Sequence, residues 1–292
     1  MLLLRCGPIP TPRTDMTMKS MLPAIAALLM AALPGIPRAQ PAPPPHDSFV
    51  IQSQRLQEAR TINVYRPPAD AAVAHPVLYM PDGGVAEDFP HVAATVDAGI
   101  RAGRIAPLLV IGIENTQRRR DMTGPTQVDS DRRIAPVVGG SAAFRAFIAE
   151  ELVPEIDRRY RTTGARGIIG ESLAGLFIVE TLFEQPALFD TWIAFSPSLW
   201  WNDAALTRSA DARLQRMPGL QGRMLLAWGD EDNIGPHAQA LSDTVRRAGP
   251  AHLQWQALPR PDLRHDTIYT ALEAMAIERM YPATPGTGEG KR

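Results

Sequence analysis

The stretch of this chain best equipped for chemistry is Gly167-Ile168-Ile169-Gly170-Glu171-Ser172-Leu173-Ala174-Gly175-Leu176-Phe177. A short apolar run leads into a serine among small residues and a second apolar run follows, which reads as strand, sharp turn and helix. At such a turn the serine hydroxyl stands above the sheet edge, and small residues two before and two after it let the backbone bend. Gly170 and Ala174 fill those places, with alanine where glycine is commoner and Gly175 next in line. The start of the helix directs its dipole and free amides at the same point, favouring developing negative charge. Leu173 is therefore the first expected oxyanion donor, and the implied chemistry is acyl transfer through Ser172.

A serine nucleophile needs a base and an acid to orient it, and after this kind of turn they follow in the order acid, then histidine. Three histidines follow Ser172, namely His237, His252 and His265. His237 lies in a helical pattern and His252 opens a strand pattern, whereas His265 sits in a loop between the last strand and the last helix. That loop places His265 over the carboxyl edge of the sheet and makes it the expected general base. The acid is expected in the loop Gly229-Asp230-Glu231-Asp232-Asn233, after the strand pattern Met224–Trp228. Asp232, three residues beyond the strand-ending glycine, is the first choice, with Glu231 and Asp230 as alternatives. Its task is to fix the imidazole tautomer and stabilise the imidazolium.

The elements that must position these groups alternate along the chain. Ser48–Gln52 and Arg60–Tyr65 alternate as an edge strand pair, and Val77–Met80, Pro107–Ile113, Gly167–Ile169, Trp192–Phe195 and Met224–Trp228 read as strands buried on both faces. His252–Ala257 supplies a last strand. Helical patterns cover Ser141–Tyr160, which Pro154 should kink or divide, and about Leu173–Glu184, His237–Arg247 and Thr267–Met280. The pattern predicts one α/β domain over 48–281, with a mostly parallel central sheet and helices on both faces. The short interval from Phe195 to Met224 leaves room for little or no lid.

Composition limits the function classes. With 45% hydrophobic residues and a net charge of −1, the chain suits a packed core and offers no lure for nucleic acid. Its one cysteine, Cys6, excludes a disulfide or thiolate chemistry downstream. Lys19, the apolar run Met21–Leu33 and the Pro/Ala-rich stretch after it read as an export signal over 1–39 cut near Ala39 and Gln40, with a Pro-rich linker over 40–47. Met16 or Met18 would serve equally as its start. The run is short for a bilayer span, so no stable membrane insertion is expected after cleavage, and the periplasm or the exterior of a bacterium is the expected location. The last residues, 282–292, read as a disordered tail.

Four blocks together resemble the putative-esterase family of α/β hydrolases, which includes enterobactin and salmochelin esterases. They are Leu78-Tyr79-Met80-Pro81-Asp82-Gly83-Gly84; Ile111-Gly112-Ile113-Glu114-Asn115-Thr116 followed by Arg118, Arg120 and Asp121; Gly170 to Gly175; and Ser196-Pro197-Ser198-Leu199-Trp200-Trp201. The resemblance implies that Gly84 or Gly83 supplies the second oxyanion amide. It implies that Arg118 and Arg120 hold an anionic ligand and that Trp200 or Trp201 stacks on an acyl or aryl group. It implies hydrolysis of a small-molecule carboxylic ester, without metal or organic cofactor, possible substrates including siderophore-type and other bulky esters. Acyl transfer through the same serine and ligand binding on an inert esterase scaffold are the alternatives.

Overall fold

The computed structural model describes residues 42–68 and 72–283. The expected signal segment, residues 40–41 of the linker and residues 284–292 lie outside them. The early alternating segments form an antiparallel ribbon of β1 (His46–Ser53) and β2 (Glu58–Tyr65), with Phe49 opposite Ile62. β1 begins at His46, inside the stretch expected as linker. The apolar runs become β3 (His75–Met80), β4 (Leu109–Ile113), β5 (Thr162–Glu171), β6 (Thr191–Phe195), β7 (Gln221–Trp228) and β8 (His252–Pro259). Every residue of β4 and β6 is buried, as strands covered on both faces must be.

The eight strands form one sheet in the order β1-β2-β4-β3-β5-β6-β7-β8. β2 joins β4 antiparallel, and every pairing from β4 onward is parallel. The helices are α1 (Phe89–Arg101), two single turns α2 (Arg118–Asp121) and α3 (Asp129–Arg132), α4 (Ser141–Phe147), α5 (Val153–Arg159), α6 (Leu173–Glu184), α7 (Trp201–Gln215), α8 (Gly235–Ala248) and α9 (Ile268–Met280). α4 to α8 pack one face of the sheet, around Phe144, Phe177, Ile156, Leu214 and Leu241. α1 and α9 cover the other through Val92, Val96, Leu272 and Ile277.

The expected helix Ser141–Tyr160 is divided as its proline requires. A π-helical turn, Ile148–Leu152, separates α4 from α5, and Pro154 falls in the first turn of α5, where its missing N–H costs least. α1 and α7 fill intervals the sequence patterns left open. At the far end, Pro282 bridges Ile105 and the Ala283 amide donates to the Arg104 carbonyl, so the expected tail is ordered at its start.

Parallel strands deliver their carboxyl ends to one edge of a sheet, where α/β proteins build sites. Here the loops after β3, β4, β5, β6, β7 and β8 carry the Asp82–Gly84 segment, Asn115 and the arginine run, Ser172, Ser196–Ser198, Glu231 and His265 in turn.

Candidate active site

Ser172 joins β5 to α6 with φ 61° and ψ −118°, a backbone conformation a non-glycine residue adopts only where its surroundings impose it. The neighbouring loop does so. The Ser172 amide donates to the Phe195 carbonyl at 3.0 Å, and its own carbonyl accepts from the Ser198 amide at 3.0 Å and the Leu176 amide at 2.9 Å. A Cβ on Gly170 would lie 2.6 Å from the Ala174 Cβ, so glycine two residues before the serine is what makes room for alanine two residues after it. Gly175, not Ala174, makes the close approach to Pro197, at 3.0 Å from its would-be Cβ. The departure from the usual small-residue pattern is thus absorbed within the turn.

Leu173 is the first residue of α6, and its amide has no helical carbonyl four residues back to satisfy it. The Ser172 hydroxyl lies 3.3 Å from the Ser198 hydroxyl, its hydrogen-bond partner here; no hydrogen bond joins it to His265. Resting serine–histidine contacts are commonly long and tighten on the substrate.

His265 Nδ1 lies 3.3 Å from Glu231 Oε1. The Ser196 hydroxyl donates to the same oxygen at 2.6 Å, and the Gly229 amide donates to Oε2 at 3.2 Å, so the buried carboxylate is held from three sides. Asp232, the first choice on spacing, and Asp230 are exposed, and neither carboxylate bonds to His265. The spacing rule fails because the chain turns directly after Gly229: the Asp230 amide bonds to the Leu263 carbonyl, which brings Glu231 inward under the histidine loop. His237 sits in α8 and His252 opens β8, as expected of residues outside the site.

Both glycine amides expected as the second oxyanion donor are engaged in the resting site. The Gly83 amide is spent on the Ile113 carbonyl at 2.9 Å, and a Cβ on Gly83 would strike the Gly112 Cα, so this glycine lets the loop after β3 pass close against the end of β4. The Gly84 amide remains a candidate but donates to Glu87 Oε2 at 2.7 Å. Glu87 also accepts from the Asn115 amide, and burial pushes its carboxyl above the usual range.

Two of the three arginines are already employed. Arg118 grips buried Asp82 with Nε and Nη2, at 2.6 and 2.9 Å, and so fixes the Asp82–Asp88 loop. Arg120 pairs with Glu58 and Asp121, and fully buried Arg60 joins the same two carboxylates. Burial opposes charge on Glu58, yet hydrogen bonds from Arg120, Thr116 and Arg60 outweigh it and hold its carboxyl at about 2. Arg119, between them in the basic run, is exposed and has no acidic partner among the described residues. It lines a cavity of about 490 Å³ together with Arg118, Arg120, Gln117, Pro136 and the half-exposed Val137. Trp201 is buried, with its indole N–H bonded to the Gly124 carbonyl at 2.9 Å, and is a packing residue; Trp200 beside it is partly exposed. A larger cavity, about 640 Å³, opens at the opposite edge of the sheet near His75 and Arg161, away from the serine.

The family model described as "Putative esterase" matches residues 53–254. The chain belongs to the putative esterase family. A curated member, the ferri-bacillibactin esterase BesA of Bacillus subtilis, is 31% identical over 216 residues, covering 65% of this chain and 71% of that protein. The iron(III) salmochelin esterase of Escherichia coli is 23% identical over 77% of this chain and spans more, since the match covers 51% of it. A solved IroE-like serine hydrolase from Shewanella oneidensis superposes with a TM-score of 0.73 at 24% identity, covering 81% of this chain and 80% of that one. That likeness establishes the α/β-hydrolase type of fold.

Within this esterase one more group stands beside Ser172. Glu171, immediately before Ser172, is mostly buried, and its Oε1 has no hydrogen-bond partner. Burial first, then the charges of Asp88, Glu231 and Asp82, push its carboxyl up to about 8, with Arg118 opposing. The surroundings of Glu171 therefore favour the neutral acid over the carboxylate.

Proposed function

We propose that this chain hydrolyses carboxylic esters through an acyl-enzyme on Ser172, with siderophore-type esters as its substrate class. The observation that carries the reading is the strained strand-to-helix turn at Ser172, at the same sheet edge as the Glu231–His265 pair. His265 Nε2, without a hydrogen-bond partner among the described residues, takes the Ser172 proton as Oγ attacks the ester carbonyl. Glu231 stabilises the imidazolium, and the Leu173 amide receives the oxyanion. The Gly84 amide joins it when the oxyanion displaces the Glu87 carboxylate. The imidazolium protonates the departing alcohol, and water, activated by the same histidine, releases the acid.

The substrate class rests on BesA, a relative named for a ferric siderophore, and on Arg119 with its open cavity, which suits an anionic, bulky ester. Export through the N-terminal segment fits this use, with the mature enzyme working in the periplasm or outside the cell. N-terminal sequencing of the secreted protein checks that part; the intact Met1 end would refute it. For the substrate, initial rates are compared on ferric and iron-free trilactone siderophores, feruloyl and acetyl esters and a thioester. The expected result is the highest kcat/KM on a trilactone. Preference for a small neutral acetyl ester would refute the substrate class.

A further inference from the structure

Beneath the site, on the face covered by α1 and α9, lies a polar cluster that the hydrolytic steps do not use. His91, in the first turn of α1, is nearly buried. Its Nδ1 lies 2.6 Å from Glu273 Oε2 on α9 and its Nε2 3.3 Å from Asp88 Oδ1. The Thr95 hydroxyl donates to the other Glu273 oxygen at 2.5 Å. The ring meets Tyr269 edge-on at 5.1 Å, and Tyr269 in turn rests against Phe195 at 5.0 Å, at the end of β6.

The two carboxylates that hold His91 belong to the two halves of the site. Asp88 closes the loop that begins at Asp82, its amide bonded to the Asp82 carbonyl at 2.9 Å, and this loop carries the Gly84 amide. Glu273 stands on α9, which starts three residues after His265 and is tied to that loop by the Ile268 amide on the Arg264 carbonyl at 2.9 Å. The surroundings are acidic: Asp82 on the loop and Glu171 at the end of β5 both act on the buried Tyr269 hydroxyl, which has no partner of its own. A cation between Asp88 and Glu273 is what such a cluster requires.

We propose, on the reading that Ser172 is the nucleophile, that His91 is a positioning residue: its imidazolium clamps the Asp82–Asp88 loop to α9 and so sets the Gly84 amide against His265. Burial disfavours its charge, but the hydrogen bonds and charges of Asp88 and Glu273 win and push His91 up to about 9. The clamp is closed through neutral pH and opens in the alkaline range.

The test is the pH–rate profile of the purified enzyme on a short aryl ester, for wild type, His91→Phe and Glu273→Gln. Wild type is expected to lose kcat above about pH 9. His91→Phe should lower kcat on the order of tenfold or more at neutral pH with little change in KM, because a misplaced loop costs the transition state first. Glu273→Gln keeps a hydrogen-bonding partner but removes charge, so its alkaline limb should move toward neutrality; it serves also if His91→Phe does not fold. Coincident alkaline limbs in wild type and Glu273→Gln, or a folded His91→Phe with kcat within about twofold of wild type, would overturn the clamp. A wild type inactive on every ester would instead overturn the underlying hydrolytic reading.

Discussion

Glu231 Oε1 lies 3.3 Å from His265 Nδ1, and the oxygen's second contact, at 2.6 Å, is the Ser196 hydroxyl from the loop that also braces Ser172. One carboxylate thus ties the histidine loop to the serine loop. Glu231→Ala should lower kcat by about a hundredfold to ten-thousandfold, as loss of the orienting acid does in other triads. Asp232→Asn should leave kcat within about twofold. Steady-state kinetics of the two variants decide which carboxylate is the acid; the reverse ranking restores Asp232.

The arginine run divides by partner. Arg119→Ala should raise KM for an anionic aryl ester by about tenfold, the size of one charge-assisted contact, and leave a neutral ester unaffected. Arg118→Ala, which frees buried Asp82, should instead lower Tm and depress kcat on both esters. Equal losses for Arg119→Ala on the two esters would exclude a role in charge recognition.

At the turn, Gly170→Ala places a Cβ 2.6 Å from that of Ala174 and should cost about 1–3 kcal/mol of stability, with loss of activity. Adding Ala174→Gly should recover most of both, a coupling that chemical unfolding and rate measurements read directly. Additive losses in the double variant would show that the two positions do not share the space.

Stability should fall as pH rises. Glu171 holds its proton in the folded protein up to about 8, whereas the unfolded chain releases it near 4.5, so the folded state binds the extra proton across that window. Stability is lost there at up to about 1.4 kcal/mol per pH unit for this group. His91, raised from 6.5 to about 9, adds in the same sense: its contribution is complete below 6.5 and gone above 9. Glu171→Gln should flatten the fall in Tm between pH 5 and 8. A variant curve parallel to that of wild type would rule out a buried neutral Glu171.

What the sequence displayed of this site was what neighbours in the chain decide. The turn at Ser172 was legible because its strand, turn and helix are contiguous, and the place of His265 because a loop between a last strand and a last helix has one edge to hang over. Glu231 could not be separated from Asp230 and Asp232, since the choice depends on the Asp230–Leu263 backbone bond. The ion pairs of the arginine run were illegible for the same reason: Glu58 lies 62 residues before Arg120, and only the fold brings them together. α1 carried a legible stripe in Val92, Ala93, Val96 and Ile100, whereas α7 buries few apolar residues beyond Ala210 and Leu214 and gives little period to read. Charge pairs and oxyanion amides are properties of three dimensions, and they hold most of what was missed.

The identity of Ser172 as nucleophile is tested most directly by intact-mass analysis after a fluorophosphonate, alongside turnover of a short aryl ester, in wild type and Ser172→Ala. Wild type should gain one adduct on Ser172, and the folded variant should gain none, with kcat reduced by about a thousandfold or more. A Ser172→Ala protein that keeps most of its turnover, or labels as wild type does, would contradict the assignment.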